Sequence, residues 1–240
     1  MSKLSKKKLE LYDKLVNQFQ QLPEIPKFKN PHTLWKTLDK SYPVIDPWEL
    51  WHNNLEADIL VIGQDWACED YFVENFKSLT WEKESSNPTN IKLKALFEKL
   101  IGTDIGLPSP CQESKYKKPL LFFTNAVMGI KEGNKMDAPV GTSYRHTSNI
   151  LERLINIIKP KYIIILGKVP YKAVYEIYKT EFVETNASTS VRKLVEHNGN
   201  HPRINKAELF VMFHPSTRPV NRTPDQQSDD WDKVGKLMRL

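Results

Sequence analysis

The chain has 240 residues, with 35 Lys and Arg against 29 Asp and Glu for a formal net charge of +6, and 40% of it is hydrophobic. That length carries one large domain or two small ones around a sizeable core, and the composition excludes disorder throughout. No apolar run nears the roughly 20 residues of a bilayer-spanning helix, which excludes a helical membrane protein.

In chain order, Met1-Ser-Lys-Leu-Ser-Lys-Lys-Lys8 leads into Leu9, Glu10, Leu11, Tyr12 and Asp13, not into the apolar centre of a secretory signal, so a cytoplasmic location is expected. Residues 1–21 place Leu4, Leu9, Leu11, Leu15 and Phe19 among Lys, Glu and Gln, the pattern of an amphipathic helix with a basic start. Pro23, Pro26, Pro31, Pro43 and Pro47 then predict an irregular wrapping segment from Leu22 to Trp51. On this basis residues 1–56 form an N-terminal helix and wrapping segment, and 57–240 an α/β domain packed with it into one compact unit.

Four short apolar runs follow, each ending in a small or polar cluster. Asp58–Ile62 runs into Gly63-Gln64-Asp65, Leu120–Phe123 into Thr124-Asn125, Tyr162–Leu166 into Gly167-Lys168, and Leu209–Phe213 into His214-Pro215-Ser216. Near-continuous apolar strands are buried on both faces, as in parallel sheets. Helical patterns at Lys92–Ile101, Ser148–Ile158 and Val169–Tyr178 alternate with them, and Gln226–Leu240 closes the chain. The reading is a single-domain three-layer α/β/α fold around a mostly parallel four-stranded sheet. The segment Ile130–Pro139 is a polar, turn-forming stretch that either reaches a polyanion through Lys131 and Lys135 or simply connects two elements.

In an open α/β sheet, ligands bind in the crevice outside the carboxyl ends of the strands. Gln64, Asp65, Asn125 and His214 therefore converge on one crevice, where a carboxylate, an amide and an imidazole suit general-base or electrostatic work and base-edge recognition. The basic balance suits nucleic acid as the partner. Cys68 and Cys111 are too few for a four-thiolate iron–sulfur or zinc site and read as reduced and structural. His197 and His201 flank Asn198-Gly199-Asn200, a loop signal that argues against a helical metal-ligand pair, and no glycine-rich phosphate loop is present.

These residues resemble the uracil-DNA glycosylase superfamily. Gly63-Gln64-Asp65-Trp66 resembles its first motif, and Thr124-Asn125-Ala126-Val127 its asparagine motif. Pro160–Lys168 resembles its third strand, and His214-Pro215-Ser216 its last motif. The similarity is closest to the family 4 branch, which carries an iron–sulfur cluster. Here Met128-Gly129 and His146-Thr147-Ser148 stand where that branch has cysteines, so neither a cluster nor any other cofactor or metal is expected.

The resemblance implies that Asp65 positions or activates water and stabilises the sugar cation, Asn125 reads the uracil edge, and His214 holds uracil O2. It implies that Gln64 contacts the base or phosphate. Phe72 or Phe76 stacks on the base, Phe76 being favoured by its distance from Asp65. Ala67 occupies the place of the tyrosine that blocks thymine in the best-known branch, which leaves thymine rejection open, with Trp66 the candidate to do that work differently. Ser216, Arg218, Arg222 and Lys168 are the expected DNA contacts. The activity implied is hydrolysis of uracil from DNA by a monomer, with another deaminated base, or binding without cleavage, as the alternatives.

Overall fold

The computed structural model describes residues 5–38, 48, 54–75, 88–102, 121–134, 140–215 and 222–238. Cys111, Lys135, Phe76, Ser216 and Arg218 lie outside these. The principal sheet has four strands, β2 (Ile59–Gly63), β3 (Leu121–Asn125), β5 (Tyr162–Leu166) and β6 (Glu208–Met212), in the order β3-β2-β5-β6. All three pairings are parallel. A second, two-stranded sheet pairs β1 (Phe28–Lys29) antiparallel with β4 (Ile130–Lys131).

Alternate residues of each strand feed opposite faces, which is why the strands read as continuous apolar runs. Leu60, Ile62, Phe122, Ile163, Ile165, Leu209 and Val211 enter one core, under α1 (Lys6–Gln20), α5 (Ser148–Ile158) and α6 (Lys168–Ile177). Ile59, Val61, Leu121, Phe123, Ile164, Phe210 and Met212 enter the other, under α4 (Pro88–Ile101) and α8 (Pro224–Met238). The result is the three-layer α/β/α arrangement read from the sequence. In the second layer Gly235 lets α8 approach α4, since a Cβ there would stand 2.3 Å from the Leu100 carbonyl oxygen.

Two N-terminal expectations change. The buried face of α1 is Tyr12, Leu15 and Phe19, whereas Leu9 and Leu11 are exposed. Packing against α5 selects this face, and Lys8 joins its edge by donating to the Ile158 carbonyl at 2.9 Å. The segment after Leu22 is also more regular than its prolines suggest. It contains β1 and the eight-residue α2 (Pro31–Leu38), opened by Pro31 at the first helical position, where the missing N–H costs no hydrogen bond. Buried Asn30 ties it to α1, donating to the Phe19 carbonyl at 3.2 Å and accepting from the His32 N–H at 2.9 Å.

β6 is an edge strand, and the edge is closed by a side chain. The amide of Asn198, just after α7 (Val191–Glu196), donates to the Val211 carbonyl at 2.9 Å and accepts from the Val211 N–H at 2.8 Å, as a neighbouring backbone would. Among the described residues no helix is long and apolar enough to cross a membrane.

Candidate functional site

Parallel register sets Gly63 beside Asn125, so β2 and β3 end together. The turns beyond them are joined through the backbone: the N–H groups of Ala126, Val127 and Lys131 donate to the carbonyls of Gly63, Gln64 and Ala67 at 2.9, 2.9 and 3.0 Å. This places Asp65 between the strand ends and β4. Its Oδ1 accepts from the Ala67 N–H at 3.2 Å, closing a tight turn that leaves Ala67 at φ 73°. Its Oδ2 accepts from Gln64 Nε2 at 2.8 Å and lies 3.0 Å from Lys131 Nζ. Both members of the ion pair are only 6% exposed. A buried carboxylate needs such partners, because burial without them costs several kcal/mol.

Asn125 is fixed by what Gly63 lacks. A Cβ on Gly63 would stand 2.4 Å from Asn125 Oδ1, so only glycine allows the amide its observed place. Behind it Thr124 is buried, its hydroxyl accepting from the indole N–H of Trp48 at 3.0 Å.

At the other two strand ends, Gly167 leaves β5 at φ 94° and its N–H donates to the Met212 carbonyl at 2.8 Å. Its bare Cα faces His214, whose Cβ would lie 3.5 Å from a Cβ at 167. His214 is exposed, just beyond the end of β6. Desolvation lowers its pKa, and the cations of Lys131 and Lys92 push the same way, against an opposing pull from Asp65. Asp65, Lys131 and His214 therefore share one electrostatic environment, and the imidazole is favoured as neutral.

The remaining expected site residues divide. Gln64 is held against Asp65. The Trp66 ring packs edge-on against Phe19 of α1, with centroids 5.7 Å apart and the rings at 87°. Phe72 lies on α3 (Glu69–Asn75), directly after the first motif. Lys168 donates to the Thr189 carbonyl and lies over the Tyr171 ring. Arg222 holds Asp230 of α8 through two hydrogen bonds of 3.1 and 3.2 Å and lies over the Phe213 ring.

Lys131 is the residue whose place the sequence misassigned. It is a buried partner of Asp65, not part of a polar connecting loop, because β4 pairs with β1. Cys68 is a free buried thiol beside it, bridged to Lys131 through the backbone. His197 pairs with Glu184 at 3.1 Å and His201 Nε2 lies 2.9 Å from the Leu194 carbonyl oxygen. Among the described residues no group of three or more His, Cys, Asp or Glu is placed to hold a metal ion.

Compared with known proteins, residues 51–235 match the family model described as the uracil DNA glycosylase superfamily. No curated protein matches the chain. The matched stretch contains all four strands of the principal sheet, together with Gln64, Asp65, Asn125 and His214, but starts after α1, β1 and α2.

Proposed function

The chain belongs to the uracil-DNA glycosylase superfamily, and we propose that it hydrolyses the N-glycosidic bond of uracil in DNA, leaving an abasic site for base excision repair. The observation that carries this reading is the buried, three-donor carboxylate side chain of Asp65 at the same end of the parallel sheet as Asn125 and His214. The C1′–N bond breaks with its electron pair moving to the base, the oxygen of a water positioned by Asp65 bonds to C1′, and the water proton neutralises the departing anion.

Each residue type suits its step. An ionised carboxylate stabilises a sugar cation through space. A neutral imidazole donates to O2 of the leaving base without surrendering a proton, and preorganised donors of this kind are worth about 2.7–4 kcal/mol each. An amide carries both a donor for O4 and an acceptor for N3–H, which distinguishes uracil from cytosine. Flipping the nucleotide out of the stack costs a few kcal/mol, which stacking on an aromatic ring, Phe76 or Phe72, would offset. Ser216, Arg218 and a basic face would follow the phosphates, giving binding that weakens steeply with salt.

The test is cleavage of a fluorescent oligonucleotide holding one uracil, as a single strand and opposite adenine or guanine, followed by alkali, with Asp65→Asn beside the wild type. Scission by the wild type and a loss of about 1,000-fold in the variant are expected; full activity in the variant would remove Asp65 from the mechanism.

A second reading concerns lesion range. Trp66, the residue expected to screen out thymine, turns its ring to Phe19, and Ala67 beside it has only a methyl group. On this reading neither residue screens the 5 position of a pyrimidine. This favours acceptance of 5-substituted or other deaminated bases beside uracil, and a panel of lesion duplexes containing thymine opposite guanine, hypoxanthine and xanthine reads it directly.

A further inference from the structure

The strand that brings Lys131 to Asp65 is only two residues long, and it is held between β1 on one side and the Ala67–Cys68 turn on the other. Phe28 faces Lys131 and Lys29 faces Ile130 in the antiparallel register. The Glu132 N–H donates to the Lys27 carbonyl at 3.1 Å, and Lys29 lies 3.7 Å from Glu132. Phe28 is buried, and Gly129 packs so tightly on it that a Cβ there would stand 2.9 Å from Phe28 Cβ. Asn30 anchors the same segment to the carbonyl end of α1. All these N-terminal residues precede the stretch that matches the family model.

A carboxylate offers about four lone-pair sites. Donors from Ala67, Gln64 and Lys131 occupy three of them, so their placement decides which direction Asp65 leaves open to a water or a sugar cation. Gln64 and Ala67 are sequence neighbours of Asp65, and their donors move with it. Lys131 is the donor that reaches Asp65 from another element and therefore fixes it to the frame.

We propose that Lys131, carried by β4 and braced by the N-terminal strand β1, is a positioning residue for the Asp65 carboxylate, so that the segment before the family-matched region is part of the active-site frame. This rests on the glycosylase reading above. Lys131 acts here as a buried ammonium that orients a carboxylate, not as an amine nucleophile. Its loss should lower turnover and leave DNA affinity nearly intact.

The experiment uses the full chain on the uracil oligonucleotide under steady-state and single-turnover conditions, comparing wild type, Lys131→Met, Lys131→Arg, Phe28→Ala, Asp65→Asn and the Asp65→Asn/Lys131→Met double variant. Lys131→Met should lose about 100-fold in kcat with KM little changed, the scale of a small misplacement of a catalytic group. Lys131→Arg should recover most of that loss, and Phe28→Ala should show a smaller loss confined to kcat. The double variant should cleave at the rate of Asp65→Asn alone, because Lys131 acts through Asp65.

Removing both charges together also avoids stranding a buried carboxylate, so this pair gives a result even where Lys131→Met does not fold. A wild-type kcat in Lys131→Met, a further loss in the double variant, or borohydride trapping of a DNA adduct that depends on Lys131 would each overturn the proposal. A wild type that cuts no lesion in the panel would sink the glycosylase reading instead and take the proposal with it; an active wild type with an unaffected Lys131→Met would sink the proposal alone.

Discussion

At the ends of β2 and β3 the polar side chains are held by one another, with Asp65 gripped by three donors and Asn125 wedged against Gly63. At the ends of β5 and β6 a single imidazole, His214, stands over the bare Cα of Gly167 and is shaped mainly by desolvation and by charges across the crevice. One sheet edge thus offers two kinds of preorganisation. The first half fixes where groups point by direct contact, and the second biases His214 towards its neutral form. A reaction that develops positive charge on a sugar and negative charge on a base needs both, and the two halves should fail differently when changed.

The largest effect is expected from His214→Ala, which empties the second half without touching the first. A loss of about 1,000-fold in single-turnover cleavage, with DNA binding retained, would match removal of a donor to the leaving base. Loss of binding in step with cleavage would instead make His214 a binding residue and erase the contrast.

Acid is the next probe, acting on His214 in the second half and on His201, which lies outside it beside Leu194. Burial lowers the pKa of both His214 and His201, the latter to about 4. The unfolded chain takes up these protons first, near 6.5, so stability should fall as pH drops from there towards about 4, by on the order of 3 kcal/mol from His201 alone. Urea unfolding at pH 7.5 and pH 4.5 measures it, and His201→Gln should flatten the dependence. The His214 resonance in an NMR titration then tests the link across the crevice. Lys131→Met should move its midpoint up and Asp65→Asn should move it down, because those charges act on it in opposite senses.

Gly63→Ala addresses the first half. The clash is with the end of the Asn125 side chain, which swings away at little cost in stability, so the melting temperature should change little while kcat falls about 100-fold. A crystal structure of the variant with Asn125 unmoved and activity intact would show that the amide is not held by contact.

Much of this was legible from residue patterns, and the exceptions share a cause. Tyr162–Leu166 and Ser148–Ile158 are legible with their observed ends, because an apolar run bounded by a lysine and a glycine, or a helical stripe ending just before Pro160, is a local signal. The placement of Asp65, Asn125 and His214 at or just beyond strand ends on one side of the sheet was legible because parallel strands end together by topology. Lys131 was not, since its role depends on a two-residue pairing with Phe28 that no local pattern announces. Nor was the Arg222–Asp230 pair, in which one member precedes a helix and the other lies within it. The outward turn of Leu9 and Leu11 is of the same kind, being set by where α5 lies and not by α1 itself.

Gly167→Ala gives the smallest effect and the sharpest contrast with Gly63→Ala. Here space is adequate, since a Cβ would meet His214 Cβ at an ordinary 3.5 Å, but φ 94° with ψ −167° is a conformation that side-chain-bearing residues avoid. The cost should appear as about 2 kcal/mol of stability, with the catalytic rate of the folded fraction close to wild type. The two glycines would then separate the halves of the crevice by observable: position 63 read in kcat at constant melting temperature, position 167 read in melting temperature at constant kcat. If Gly167→Ala instead lost rate and kept its stability, the backbone there would be moving His214, and the second half would be held by contact as firmly as the first.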